Sequence, residues 1–432
     1  MAHYLQIPDV ELVNNYGPGG FHPVHIGDTF SEGRYTVVHK LGYGTYSTVW
    51  LAKHSITARY VSLKILAASS SQWSDNSSYG ASGEEEVRAL SCLRSGGEDE
   101  PGKQYILQLL DDFEFHGPNG VHRCIVAELL GPSLASDIED VYPSEIFPIS
   151  VSKRIIKQIA YGVRYLHRKG VIHGDLHLGN ILLSSRNLSS LSAPEEMSTY
   201  FGMPNQRTLC LTEDPDTSDG PIPVPPHIPR YVIQRPDPTP ILHLCLDDPT
   251  EVGVRICDFS ESSVFHIDMA PPSTKPCPRV ANIPKPYRAP EIMLGEPSLP
   301  SPSTDVWAVA VLFHYLLTGG AGLFHSPYGV ADELLREMVL ILGKLPEPTW
   351  SAWATRGQFF DEDGKWMADH IPPPAPSGRF LKLRDGVMDD KERASFETML
   401  RSMVTLQPEK RATMEDVVNS EWFVRYCDSH SS

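Results

Sequence analysis

The chain has 432 residues and 41% hydrophobic content, enough for a substantial core, which excludes a fibrous or wholly disordered protein. A formal net charge of −17 argues against nonspecific binding to nucleic acid or to anionic membranes, since both need a basic face. The same charge is compatible with a basic protein partner. Seven cysteines without a C-x-x-C pair fit a reducing compartment, and neither a disulfide scaffold nor a zinc site. The opening Met1-Ala2-His3-Tyr4-Leu5-Gln6 lacks the basic and apolar regions of a signal peptide. The apolar run 306–317, interrupted by His314, is too short to span a bilayer. A soluble monomer with no direct nucleic-acid or membrane partner, cytoplasmic and/or nuclear, is the expectation.

Residues 1–34 are rich in Gly and Pro and read as an N-terminal extension without a core of its own. Residues 35–38, 48–52 and 60–66 alternate β-branched and aromatic positions between Gly-containing turns, the pattern of an antiparallel meander. A polar stretch, 67–83, precedes a short helix over 84–93, and strand candidates follow at 106–113 and 123–130. Val151, Ile155, Ile156, Ile159, Ala160, Val163 and Leu166 then recur at helical spacing, with Gly170 as a stop. Further helical stretches cover 306–317, 332–342, 390–406 and 414–423. The fold class is therefore α+β, with a small antiparallel β lobe carrying one main helix (35–131) and a larger, mainly α-helical lobe (132–426), ending in a tail, 427–432. Residues 184–251, with Pro221-Ile222-Pro223-Val224-Pro225-Pro226, are rich in Ser, Thr and Pro and read as an irregular insert within the larger lobe.

Gly42-Tyr43-Gly44-Thr45-Tyr46-Ser47-Thr48-Val49 joins the first two strands. Glycines there let the backbone approach phosphate oxygens, although a G-x-G pair alone also describes a tight turn. Its strand–loop–strand setting excludes a dinucleotide-binding unit, which needs strand–loop–helix. Lys64, on the next strand, offers a cation for nucleotide phosphates if an acid orients it. Glu84, Glu85 and Glu86 are the candidates, and Glu86 places Val87 and Leu90 on the buried side. The sharpest signal is Val171-Ile172-His173-Gly174-Asp175-Leu176-His177-Leu178-Gly179-Asn180-Ile181, an H-x-D-x-x-x-x-N loop between apolar strands. Asp175 can accept a hydroxyl proton and Asn180 can ligate Mg2+, while His173 reads as structural. Val254-Arg255-Ile256-Cys257-Asp258-Phe259 then brings a second metal-ligating carboxylate at a strand end.

Lys64, Glu86, Asp175, Asn180 and Asp258 follow the order of the eukaryotic protein kinases, which this chain resembles over about residues 35–426. Tyr287-Arg288-Ala289-Pro290-Glu291 looks like the family's A-P-E segment, Thr304-Asp305-Val306-Trp307 like its D-x-W helix, and Pro408-Glu409-Lys410-Arg411 like its late arginine segment. Within the family the resemblance is to the SR-protein kinases, through Tyr16-Gly17-Pro18-Gly19-Gly20-Phe21-His22-Pro23-Val24, Ile26-Gly27-Asp28 and Ser47-Thr48-Val49-Trp50-Leu51, and through the split core. It implies a two-lobed serine/threonine kinase with Mg2+ and ATP held between the lobes. Leu41, Gly42, Gly44 and Val49 would cover the nucleotide, and Glu128 to Leu130 would face the adenine. Lys64, held by Glu86, would orient the phosphates, and Asn180 and Asp258 would hold the metal. Asp175 would be the base, Asp305 would prop the loop and Glu291 would pair with Arg411. The implied substrate is a protein, with serines in Arg/Ser-rich or otherwise basic segments, held by acidic residues such as Asp361, Glu362, Asp363, Asp389 and Asp390.

Four positions depart from the family pattern. His177 stands where lysine is usual, Ser260 follows Phe259 in place of glycine, and Gly174 replaces the common arginine before the base. Gly174 implies activity without activation-loop phosphorylation. Small Ala127 falls at the gatekeeper position and implies an open pocket behind the adenine. The H-G-D-x-H-x-G-N run also resembles the aminoglycoside and choline phosphotransferases, and a pseudokinase scaffold is the remaining alternative.

Overall fold

The computed structural model describes residues 7–71, 82–95, 100–142, 146–209, 225–264, 283–295, 300–320, 322–326, 328–367 and 388–428. The 221–224 part of the Pro-rich run, most of the polar stretch 67–83 and the last four residues of the tail lie outside the described residues. The chain divides into two compact units. One holds residues 1–94, 107–132 and 183–251, the other 95–106, 133–182 and 252–432.

The first unit is built on a six-stranded antiparallel sheet: β1 (Thr29–Phe30), β2 (Tyr35–Tyr43), β3 (Ser47–His54), β4 (Tyr60–Leu66), β5 (Leu109–Gly117) and β6 (Gly120–Glu128), ordered β1-β2-β3-β4-β6-β5. Between β4 and β5 lie a single turn, α1 (Ala68–Ser71), and the main helix, α2 (Ser82–Arg94). Strand side chains alternate between faces, so Tyr35, Val37, Trp50, Ala52, Val61, Leu63, Ile65, Cys124 and Val126 gather into one core. Lys64, Val49 and Ile125 fall on the opposite side of their strands.

Two expectations differ here. The N-terminal extension does contribute core: Val24 and Phe30 join the sheet cluster, and Tyr16 and Phe21 pack with Ala67. The 184–251 insert groups with the sheet unit rather than the helical one. It also holds regular elements, among them helices Pro194–Phe201 and Thr239–Leu246 and a short hairpin of Gln206–Thr208 with Tyr231–Ile233. The reason is burial: Leu188, Phe201, Ile233, Ile241 and Leu242 are all inside, and Ile233 belongs to the sheet's own cluster. Full burial of one such side chain stabilises by about 1.5–3 kcal/mol, so a few of them offset the ordering entropy of an otherwise polar segment.

The second unit centres on α3 (Ile149–Arg168), whose stripe from Val151 through Leu166 is buried against helices Pro302–Thr318 and Met414–Val418 and strand Gly253–Ile256. Two short strands follow α3, β7 (Val171–Ile172) and β8 (Ile181–Ser184), paired with Ser263–Val264 and Gly253–Ile256 respectively. Helix Pro302–Thr318 is buried nearly all round, starts at a reciprocal Ser301–Thr304 capping box and stops at Gly319, which is left-handed at φ 77°. Residues 95–106 belong to this unit because Gly102 lies against α3, where a Cβ would meet the Tyr161 carbonyl oxygen at 2.1 Å, and because Ile106 bridges to Ile256. The late helices are shorter than the sequence suggests, Asp390–Met403 and Met414–Val418, the latter followed by a wider π-helical turn at Phe423–Asp428. Among the described residues no helix is long and apolar enough to cross a membrane.

Candidate active site

In the first unit, strand register assembles the nucleotide candidates. Gly42 pairs with Val49, Val49 with Lys64 and Lys64 with Ile125, so one row crosses four strands. Directly opposed residues project from the same face, which carries the Lys64 side chain to α2. There its Nζ donates to both oxygens of buried Glu86, each at 2.8 Å. Glu84 and Glu85 sit in the first turn of α2, where negative charge suits the helix dipole; of the three glutamates the structure brings Glu86 to the lysine. The glycine-rich turn closes by a 2.8 Å bond from Gly44 N–H to the Ser47 carbonyl, with Leu41 just before it in β2. At the end of β6, the Glu128 carboxylate accepts from the Gln108 N–H at 3.0 Å. Ser62 Oγ donates to the Ala127 and Glu128 carbonyls at 3.3 and 3.2 Å. Leu130 is buried just beyond.

In the second unit, the 173–180 loop is held from three sides. Asp305, buried near the start of helix Pro302–Thr318, accepts from the backbone N–H of His173 at 2.9 Å and of Gly174 at 3.0 Å, and lies 3.1 Å from His167 Nε2. Fully buried His173 accepts from the Asp175 N–H at Nδ1 (3.2 Å), which leaves its Nε2–H to donate to the Cys257 carbonyl at 3.0 Å. Asn180 Nδ2 donates to the Asp175 carbonyl at 2.9 Å and to its Oδ2 at 3.1 Å. The other carboxylate oxygen, Asp175 Oδ1, is buried without a hydrogen-bond partner among the described residues. Native buried acceptors are nearly always paired, so this oxygen is open to a donor from water or from a bound hydroxyl.

The departures from the family pattern acquire physical form. Gly174 has φ 79°, and a Cβ there would lie 2.6 Å from the Glu261 carbonyl oxygen, so an arginine does not fit this backbone. His177 accepts from the Gly179 N–H at Nδ1 (3.0 Å) and sets Nε2 3.5 Å from Asp175 Oδ2. Asp258 adopts φ 61°, a left-handed conformation costly for a non-glycine residue and typical of functional sites. Its neighbour Cys257 donates to the Asn180 carbonyl at 2.8 Å, tying the two candidate metal ligands together through the backbone. With Asn180 Nδ2 committed to Asp175, the amide oxygen is the atom left for a cation. A carboxamide and a carboxylate oxygen suit Mg2+, which takes few protein ligands and completes its shell with phosphate oxygens and water.

Arg411 and Glu291 form a buried bidentate ion pair, 2.9 Å from Nη1 to Oε1 and 3.3 Å from Nη2 to Oε2. The guanidinium also reaches the Ser303 and Thr405 carbonyls and lies 5.0 Å over the Trp307 ring. One charged neighbour escaped the sequence reading. Burial pulls the Arg288 guanidinium below its ordinary value while the Asp175 charge pulls it back up, which places a cation in the field of that carboxylate. Its position in Tyr287-Arg288-Ala289-Pro290-Glu291 was the available signal. Burial also raises the Tyr287 phenol to about 12, and its ring lies 6.0 Å from that of His177. The acidic substrate candidates are partly committed elsewhere. Asp361 closes its own turn by accepting from Asp363 and Lys365 N–H groups, and Asp389 caps helix Asp390–Met403. Glu362 is exposed but lies 3.5 Å from Arg356 Nη2, while Asp363 and Asp390 are exposed.

A sheet unit with a lysine–glutamate pair and a helical unit with this loop are the parts of a protein kinase. Residues 35–192 and 244–423 match the protein kinase domain family, and the chain belongs to that family, with its two-lobed α+β fold. The break in the match falls inside the insert. Within the family the chain is similar to the SR-protein kinases. Protein kinase dsk1 of Schizosaccharomyces pombe is 40% identical over 174 residues, 40% of this chain and 30% of that protein. SRSF protein kinase 3 of Homo sapiens is 40% identical over 171 residues, 39% of this chain and 28% of that protein. The serine/threonine-protein kinase SRPK of Physarum polycephalum is 28% identical over 427 residues, 94% of this chain and 89% of its own length. The match to the first two thus spans under a third of each relative.

Proposed function

We propose that this chain is an ATP-dependent protein serine/threonine kinase that phosphorylates serines in Arg/Ser-rich or otherwise basic segments, in the cytoplasm and/or nucleus. The observation that carries the reading is Asp175: Asn180 holds one of its oxygens, and the other is a buried acceptor with no partner among the described residues. A substrate hydroxyl is the donor this arrangement suits, and accepting its proton from a fixed position is the work of a general base. Lys64, kept extended by Glu86, binds the α and β phosphates. Leu41, Gly42, Gly44 and Val49 cover them, and the main chain from Glu128 to Leu130 meets the adenine. Asn180 and Asp258 hold Mg2+, which when bound neutralises charge on the transferred phosphoryl group. Asp305 and His173 keep the loop in one pose, so that catalysis rests on positioning and charge. Arg288 adds positive charge near Asp175.

The names of the relatives support an SR-type substrate, and the exposed carboxylates of Asp363 and Asp390 are available to attract its arginines. The test is phosphate transfer from labelled Mg-ATP offered to an Arg-Ser-repeat peptide, a generic basic protein, choline and an aminoglycoside in parallel. Preferential labelling of the repeat peptide is expected. Labelling of a small molecule alone would replace the proposal with a small-molecule phosphotransferase. ATP binding without transfer to any acceptor would leave a scaffold.

A further inference from the structure

Two segments of the first unit that stand apart from the nucleotide row converge on the strand that carries the glycine-rich turn. From the N-terminal extension, Glu11 is buried and accepts from both Lys40 Nζ and the Tyr16 hydroxyl. Lys40 is a fully buried lysine in β2, two residues before Gly42, with its ammonium 5.2 Å from the Trp50 ring and 5.6 Å from the Tyr43 ring. Tyr43 lies between Gly42 and Gly44. The same ring has a second cation against it, Arg235 of the insert, at 5.7 Å. Arg235 in turn pairs with Asp9 of the extension at 3.3 Å, and neighbouring Gln234 donates to the Pro8 carbonyl at 3.1 Å. Both cations at the turn are thus anchored by acids three residues or fewer apart in one short segment.

A buried ammonium is an expensive way to fill a strand position. Desolvation costs several kcal/mol, a paired buried ion seldom stabilises more than an apolar residue of the same volume, and its best-attested use is to enforce one arrangement. Burial pulls the Lys40 ammonium down from its ordinary value, and Glu11 opposes that pull. If residues 8–16 leave, Lys40 loses the buried carboxylate of Glu11 and has to move toward water, taking β2 and the turn with it.

We infer that Asp9, Glu11 and Arg235 are positioning residues for the nucleotide, acting through Lys40 and Tyr43: extension and insert together form a strap that sets the pose of the 42–49 turn. The inference rests on the kinase reading above. An ATP site whose turn is correctly posed only part of the time binds more weakly in proportion to that fraction. Undocking the strap therefore raises KM for ATP and leaves kcat, set by the 173–180 loop, near its original value.

The experiment uses the full chain and measures the Mg-ATP dissociation constant, KM and kcat, and melting temperature for wild type, Asp9→Ala, Arg235→Ala, Glu11→Gln, and Glu11→Gln combined with Lys40→Met. Asp9→Ala and Arg235→Ala remove exposed groups and leave melting unchanged, with ATP affinity weakened about 3–10-fold. Glu11→Gln weakens it further, and adding Lys40→Met, which removes the stranded charge, restores it. Variants that melt earlier but bind ATP as wild type does would overturn the strap and leave the kinase reading standing. A wild-type chain that binds no ATP would overturn both.

Discussion

Removing Arg411 is the sharpest test of how the second unit is held together. The guanidinium makes two bonds to Glu291, one each to the Ser303 and Thr405 carbonyls, and covers Trp307, all out of water. Arg411→Met keeps most of the side-chain volume but strands the Glu291 carboxylate, which is 3% exposed. Breaking a buried pair in this way costs about 3–5 kcal/mol. For a domain of 150–250 residues that corresponds to a drop in melting temperature of roughly 6–20 °C. Adding Glu291→Leu removes the stranded charge and recovers most of the loss, because well-packed apolar substitutes for a buried pair are near neutral. Thermal unfolding followed by tryptophan fluorescence reads both variants, since buried Trp307 reports on this locus. An Arg411→Met protein melting within a degree of wild type, or a double variant no better than the single, would refute the reasoning.

Gly174→Ala puts a Cβ against the Glu261 carbonyl at a left-handed φ, so the loop shifts and the transfer rate falls by about 10–100-fold, measured as kcat on the repeat peptide. His22 is held neutral by burial and by the nearby His122 and His25, its pKa lowered from 6.5 to about 3. The unfolded chain therefore binds the extra proton between those values, and this contribution to stability, complete above about pH 6.5, is lost by about 1.4 kcal/mol per unit as pH falls toward 3. Melting curves at pH 7.5 and 5 should show a smaller acid loss in His22→Leu than in wild type. Ala127, buried in β6 beside Ser62, should admit ATP analogues with bulky N6 substituents, and Ala127→Met should exclude them while retaining ATP; kinetics with both nucleotides checks this.

The residues of the 173–180 loop were readable because their chemistry fixes their spacing: Asn180 reaches both the carbonyl and the carboxylate of Asp175 across five positions of one tight loop. Lys64 and Val49 were readable because alternation along β3 and β4 shows which residues share a face. The first strand was cut short at residue 38, for buried Lys40 breaks the apolar pattern that β2 continues to Tyr43. Strand β5 is expected at 106–113 and found at Leu109–Gly117, since Glu114 and His116 make its second half polar and only partly buried. Among the described residues the insert's helices are eight residues or shorter, too brief to display a period, and its hold on the sheet depends on single long-range residues such as Ile233. Gly174 could be seen as a departure from the family, but its cause, the Glu261 carbonyl, exists only in three dimensions.

The central claim is that Asp175 acts on the substrate hydroxyl and not on the nucleotide. The direct test pairs two numbers for wild type and Asp175→Ala, the dissociation constant for Mg-ATP and the rate of phosphate transfer to an Arg-Ser-repeat peptide. The account predicts ATP binding within a few-fold of wild type and a transfer rate lower by about two orders of magnitude or more. Transfer that survives the substitution, or is lost only because ATP no longer binds, would contradict it.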